Sequence, residues 1–285
     1  MRLARGYTGR SKVVRIDGHF HGGHDYALAN NLASKIDRGN PGNRISKIGH
    51  LSSGIPDVIK ETLYVIPWNR PDVFEKLAKE KGHEIAAIIM NPIDYNNGCM
   101  GTTTEYLQKI REVCDLHGIV FIMDEILSGF RTGISCGQGY YGVTPDLCLL
   151  GKALTNGVPL AAIAGKKKIL SKIMDPVDPV VAGGTFSGNL MGCAAGLAAL
   201  RIMEEPGFFE LSTRTGIFFF TAGRIVSGWS TRAPKYASSA ASLNDITLIF
   251  FASFTTEGSL ERIPSTSVQI WMSSASSAAP TIAAL

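Results

Sequence analysis

Two side chains in this 285-residue sequence have types and positions suited to chemistry. Asp124 directly follows Ile119-Val-Phe-Ile-Met123, an unbroken apolar run expected of a strand covered on both faces in a parallel sheet. Lys152 follows Leu147-Cys-Leu-Leu-Gly151, one strand–helix–strand step later. A lysine amine forms Schiff bases with carbonyl compounds and then shuttles protons. An aspartate can hold a heterocyclic nitrogen protonated, so that its ring takes up electrons. A structural ion pair at the sheet edge would place the same residue types in the same way, and position alone favours that blander reading.

Elements able to position these residues recur from about residue 12 to 204, where strand-like and helix-like segments alternate. Ile85–Met90, Asp146–Leu150 and Leu160–Ala164 share the strand character. Pro71 suits a first helical turn, Phe74, Leu77 and Ala78 make one apolar face, and Gly82 ends that helix. Thr102-Thr-Thr-Glu105 forms a capping box, followed by Leu107, Ile110 and Cys114 at helical spacing and Gly118 as the stop. The alternation predicts an α/β fold on a doubly wound, mostly parallel sheet, with ligands gathered beyond the carboxyl ends of its strands. After Glu210 the character changes. Of the 74 residues from Ser212 to Leu285, 34 are Ser, Thr or Ala and only eight are charged, so helical periodicity stops there.

Composition excludes several classes. Net charge is +4, and the only cationic run, Lys166–Lys168, reads as a solvated loop rather than a nucleic-acid surface. The late apolar runs Ile217–Phe220 and Ile246–Phe251 are too short to span a bilayer. Five cysteines, an odd number with no close pair, suggest neither a disulfide framework nor a zinc ribbon, so a reducing cytoplasm is expected. An apolar content of 45% with 18% charged residues fits a chain that buries a subunit interface. His19, His21, His24 and Asp25 share one loop, with no second ligand group at a useful spacing for a metal. Gly151-Lys152 is no phosphate-binding P-loop, because Asp146 stands where the first glycine belongs and Ala153 replaces Ser or Thr.

Local sequence shifts the balance for Asp124 and Lys152. Ile122-Met-Asp-Glu-Ile-Leu-Ser-Gly-Phe-Arg131 resembles the aspartate signature of class III aminotransferases, which depend on pyridoxal 5′-phosphate. Pro145-Asp-Leu-Cys-Leu-Leu-Gly-Lys-Ala-Leu-Thr-Asn-Gly-Val-Pro-Leu-Ala161 resembles their lysine signature. Gly184-Thr-Phe-Ser-Gly-Asn189, leading into the Ala-rich helix Cys193–Met203, is similar to a third family segment, and Gly18-His-Phe-His-Gly22 to a fourth. The four occur in the family's order over about residues 2 to 210, and the resemblance leans toward the glutamate-1-semialdehyde aminomutase branch.

The resemblance implies the large domain of the fold type I pyridoxal-phosphate transferases over residues 1–211, with 212–285 a divergent or mis-joined segment in place of a small domain. It implies that Asp124 pairs with the cofactor's ring nitrogen, Ile126 packs on one ring face, and Phe20 stacks on the other with His21 and Gly22 beside it. Lys152 would form the internal aldimine. Thr185 would reach the phosphate of the neighbouring subunit, making a homodimer part of the site. Arg131 is either a clamp for a substrate carboxylate or an ordinary ion-pair partner.

Three departures accompany the likeness. Met1-Arg-Leu-Ala-Arg resembles the interior of a family helix, which implies that the segment gripping the cofactor phosphate is absent. Asn91 stands where relatives usually have glutamate, and Leu190 where they have proline. The tail has only faint echoes of the small domain. The implied activity is transamination of small amino and keto substrates, with an aminomutase and a non-catalytic fragment as alternatives.

Overall fold

The apolar runs pair into one seven-stranded sheet in a computed structural model of the chain. The structure describes residues 1–28 and 52–210, together with the backbone of strands at 246–250, 269–270 and 283–284. Its first nine strands are β1 (Lys12–Ile16), β2 (Leu63–Ile66), β3 (Ile85–Met90), β4 (Ile93–Asp94), β5 (Met100–Gly101), β6 (Val120–Glu125), β7 (Leu147–Leu150), β8 (Ala162–Lys166) and β9 (Ile246–Phe250). The large sheet runs β2-β1-β3-β6-β7-β8-β9, while β4 and β5 pair with each other. From β2 to β7 every pairing is parallel, and β8 and β9 then follow antiparallel. The register sets Asp124 beside Leu149 and Glu125 beside Leu150.

Successive strand residues face opposite sides, so the all-apolar strands need a cover on each. The helices are α1 (Arg2–Thr8), α2 (Pro71–Lys81), α3 (Thr104–His117), α4 (Cys136–Tyr141), α5 (Lys167–Leu170) and α6 (Leu190–Met203). On one face Val14, Ile88, Phe121 and Met123 pack with Phe74 and Leu77 of α2 and Leu107 and Ile110 of α3. On the other, Val13, Ala87, Ile89 and Ile122 pack with Leu3 and Ala4 of α1 and Ile169 and Leu170 of α5. The sheet is therefore doubly wound and mostly parallel, as predicted. A third cluster around Phe130, Cys148, Leu150, Leu154 and Met203 closes the β7–β8 end. Each fully buried side chain of this size stabilises the fold by roughly 1.5–3 kcal/mol before entropy is counted.

Several local expectations shift. The cap of α3 is Thr103, whose hydroxyl accepts the Tyr106 N–H at 3.2 Å, one residue later than the expected box. Thr102 instead donates its hydroxyl to Asn69 Oδ1 at 2.7 Å. Asp124 lies within β6 rather than just beyond it, and β8 begins at Ala162 and runs antiparallel. Gly118 ends α3 as predicted, with its N–H on the Cys114 carbonyl. Of the late runs, Ile217–Phe220 lies outside the described residues, as does most of the segment 212–285, whereas 246–250 forms the edge strand β9.

Candidate active site

The carboxyl ends of β1, β3, β6 and β7 bring together residues from four stretches of chain. Asp124 is 3% exposed. Its Oδ2 lies 2.7 Å from His21 Nδ1, and its Oδ1 accepts the Ile126 N–H at 3.1 Å. Facing a carboxylate oxygen, His21 carries its ring proton on Nδ1 and donates it. Burial lowers the His21 pKa despite the opposing pull of Asp124, so the imidazole is neutral near pH 7.

A second layer supports this pair. Asn91 follows β3, and its side-chain amide donates to the Asp124 carbonyl at 3.1 Å. The Asn91 backbone N–H donates to His19 Nδ1 at 3.0 Å, which places the proton of neutral His19 on Nε2, 4.0 Å from Asp94 Oδ2. Burial pushes the His19 pKa well below its ordinary value, and the ring stands edge-on to Trp68 with centroids 4.8 Å apart. Arg15, fully buried in β1, donates to the His19 carbonyl at 2.8 Å, and burial lowers its pKa to about 10.

Lys152 opens a 3-10 turn, Lys152–Leu154, directly beyond β7, and its side chain is exposed. Its φ of 45° lies in the left-handed region, an uncommon conformation for a non-glycine residue that surrounding structure must hold. Just before it, Gly151 lets Ile126 approach closely. A Cβ there would sit 3.0 Å from Ile126 Cδ1. Ile126 therefore bridges the two predicted residues, bonded through its N–H to Asp124 and packed at the root of Lys152. Phe20 is 43% exposed between the buried rings of His19 and His21, and Gly22 follows with φ 99°. Thr185 is exposed in the turn closed by Gly184 N–H on Ser187 Oγ, and among the described residues no hydrogen bond joins it to the other six.

Comparison with known proteins gives this geometry a context. Residues 1–222 match the family model described as aminotransferase class-III. The chain belongs to the class-III aminotransferase family.

Over 210 residues this class-III chain is 40% identical to a glutamate-1-semialdehyde 2,1-aminomutase of Desulfatibacillum aliphaticivorans, covering 74% of this chain and 47% of that protein. An omega-transaminase from Sphaerobacter thermophilus superposes with a TM-score of 0.67 at 32% identity, over 74% of this chain and 48% of its own. A structure described as a transaminase with PLP bound gives a TM-score of 0.65 at 26% identity, over 85% and 59%. The chain thus spans about half the length of the relatives it matches.

Within the family's aspartate motif, Glu125 follows Asp124 with nothing in the local sequence to mark its contacts. It is fully buried and accepts N–H groups of Gly137 at 2.6 Å and Gln138 at 3.0 Å and the Ser128 hydroxyl at 3.2 Å. Burial pushes its carboxyl up to about 7 against those donors. The sequence marks Asn91 only as a replaced glutamate, and its two hydrogen bonds join it to partners 72 and 33 residues distant. Among the described residues, no group of three or more His, Cys, Asp and Glu side chains is arranged to hold a metal, and no helix is long and apolar enough to cross a membrane.

Proposed function

We propose that the protein transfers amino groups using pyridoxal 5′-phosphate attached to Lys152. One observation carries this reading: Asp124, buried and hydrogen-bonded by neutral His21, lies near the carboxyl end of the strand beside the one that delivers Lys152, within a transaminase family. The residues fit the cofactor. A carboxylate offers about four acceptor positions, and His21 and Ile126 take one each, leaving capacity for a protonated ring nitrogen. A similar transaminase structure carries the cofactor in its description.

In this reading Asp124 holds the proton on the ring nitrogen, and His21 orients Asp124. Ile126 and Phe20 flank the ring, with Gly22 giving the Phe20 loop its turn. When bound, the cofactor supplies an electron sink for negative charge developing at the substrate's amino-bearing carbon. Once the substrate's amino group displaces it from the cofactor, the Lys152 amine would take the proton from that carbon. In the second half-reaction it would deliver a proton to the corresponding carbon of the keto acceptor. The substrates would be a small amine or amino acid and a keto compound.

Thr185 would act in the site of a second copy, making the protein a homodimer. Its exposure supports this, as does the apolar surface of Phe186, Leu190 and Met191 beside it. Five free cysteines support a cytoplasmic location. A second reading, amino-group migration within one molecule, is favoured by the 40% identity to an aminomutase.

The test is to add pyridoxal phosphate, reduce with borohydride, digest and map the labelled lysine by mass spectrometry. Label on Lys152, lost in Lys152→Ala, is the expected result, and a noncovalent pool retained by that variant is compatible with it. Label on another lysine sinks the assignment. Incubation with an amine donor plus keto acceptors, against glutamate-1-semialdehyde alone, separates the two reactions.

A further inference from the structure

Asp124 and Glu125 are consecutive in β6 and so face opposite sides of the sheet. Only one of those sides carries the Asp124–His21 pair. On the other, the Glu125 carboxylate spans a loop. Ser128 Oγ and Gly137 N donate to its Oε2, and Gln138 N donates to its Oε1. Gly137 is there because nothing larger fits, since a Cβ would lie 2.8 Å from Glu125 Oε2 and 2.9 Å from Pro92 Cγ. Between these anchors the chain folds tightly. Gly129 N–H donates to the Glu125 carbonyl at 2.8 Å and Phe130 N–H to Cys136 Sγ at 3.3 Å. Phe130 and Cys136 both hold positive φ, 62° and 57°, which neither adopts without support from its surroundings.

The closed loop packs against the residues just before Lys152 and shares a buried cluster with Leu154 after it. Ile126 meets Gly151, and a Cβ on Gly129 would lie 3.3 Å from Leu150 Cδ2. Phe130 is buried in the cluster that contains Leu150 and Leu154. The residues before Lys152 thus touch a loop bridged by the Glu125 carboxylate, and Leu154 after it shares a buried cluster with that loop.

We propose that Glu125 is a positioning residue for Lys152: its carboxylate latches residues 126–138 closed, and the latched loop fixes the turn that presents the Lys152 amine. This rests on the role given to Lys152 above. A carboxylate that merely satisfied its own buried donors would steady the loop and leave the Lys152 turn alone.

The experiment uses the 285-residue chain without cofactor and reads amide hydrogen exchange by peptide. In Glu125→Gln an amide replaces one acceptor oxygen, and in Gly137→Ala the new Cβ pushes on the carboxylate. Both variants should speed exchange at least tenfold in residues 126–138 and also in 151–156, with 85–90 unchanged. Ser128→Ala, which removes one donor of three, should do the same to a smaller degree and keeps the test open if the stronger variants unfold. Faster exchange in 126–138 with no change in 151–156 overturns the proposal. With pyridoxal phosphate added, the visible circular dichroism of bound cofactor should fall at least twofold in Glu125→Gln, and an unaltered band would also count against the latch. A wild-type chain with no such band would defeat the cofactor reading, and the exchange data alone would then decide on the latch.

Discussion

Two carboxylate clusters lie at opposite ends of β6 and β7, and they are built differently. At the amino ends, Asp146 accepts Arg111 at 2.9 Å, Lys166 at 2.6 Å and the Phe121 N–H at 2.8 Å. Burial opposes its ionisation, but Lys166, the Phe121 N–H and Arg111 outweigh burial and hold the carboxyl below the usual range. At the carboxyl ends, Asp124 meets a neutral imidazole and a backbone N–H. Two cations neutralise Asp146, whereas the hydrogen-bond partners of the Asp124 carboxylate among the described residues carry no full charge. A cluster with its charge already matched staples neighbouring strands together. One held by neutral donors keeps its attraction for a cation that arrives later, such as a protonated ring nitrogen.

The largest expected effect follows from that second property. Asp124→Asn should leave the fold intact, since the amide oxygen can still accept one of the two existing bonds. Cofactor binding should weaken by roughly 1.5–3 kcal/mol, the worth of a hydrogen bond to a charged group. Turnover should fall further, because a neutral partner does not keep the ring nitrogen protonated. Near-normal turnover in a cofactor-saturated variant would remove Asp124 from the electron-sink role.

Asp146→Asn should produce the converse. Stability should drop by roughly 2 kcal/mol through loss of charge-assisted bonds, with cofactor affinity unchanged. Because the folded pKa of Asp146 is depressed, its contribution is complete above the unfolded value, near 3.9, and is lost as pH falls through the folded value. Urea unfolding should therefore show a constant gap between wild type and variant from pH 7 to 5 and a narrowing one below about 4. A matching loss of cofactor affinity would mean that the two ends of the sheet are not independent.

The two clusters were also unequally legible in the sequence. Asp124 and Lys152 could be found because each ends an apolar run, and a parallel sheet sends such residues to one edge. The strand 85–90, the run 119–123 that supplies most of β6, and the apolar faces of α2 and α3 are readable for the same reason, since one-dimensional periodicity reports burial directly. Asp146 reads in the sequence as the start of a strand, as part of the lysine signature and as the residue that rules out a P-loop, with no sign of its ionic role. Its partners Arg111 and Lys166 are 35 and 20 residues away, and no local pattern announces them. The reversal of β8 was hidden too, because Ala162–Lys166 has the same composition whichever way it runs. The cap of α3 moved to Thr103 because Thr102 found Asn69 across 33 residues. Pairings settled by tertiary neighbours leave little trace in spacing.

The smallest expected effect sharpens the contrast through pH. His21 is buried with its pKa lowered, and Asp124, Asp94, Arg15, His19 and His24 are the charged or titratable groups that bear on it. A histidine with a depressed folded pKa binds fewer protons folded than unfolded. Its neutral form therefore contributes stability that is complete above the unfolded value, near 6.5, and is lost as pH falls through the folded one. The carboxyl-end network should thus weaken in mild acid, while the Asp146 staple holds to below pH 4. His21→Gln keeps a donor for Asp124 without a titrating ring, and at pH 7 it should cost roughly 1 kcal/mol for a less well-placed neutral hydrogen bond. Between pH 7 and 5 its urea midpoint should fall less than that of wild type. The slope should shrink rather than vanish, because burial also lowers the pKa of His19 and His24. Equal falls for the two proteins would show that the neutral ring beside Asp124 is not what makes this end acid-sensitive.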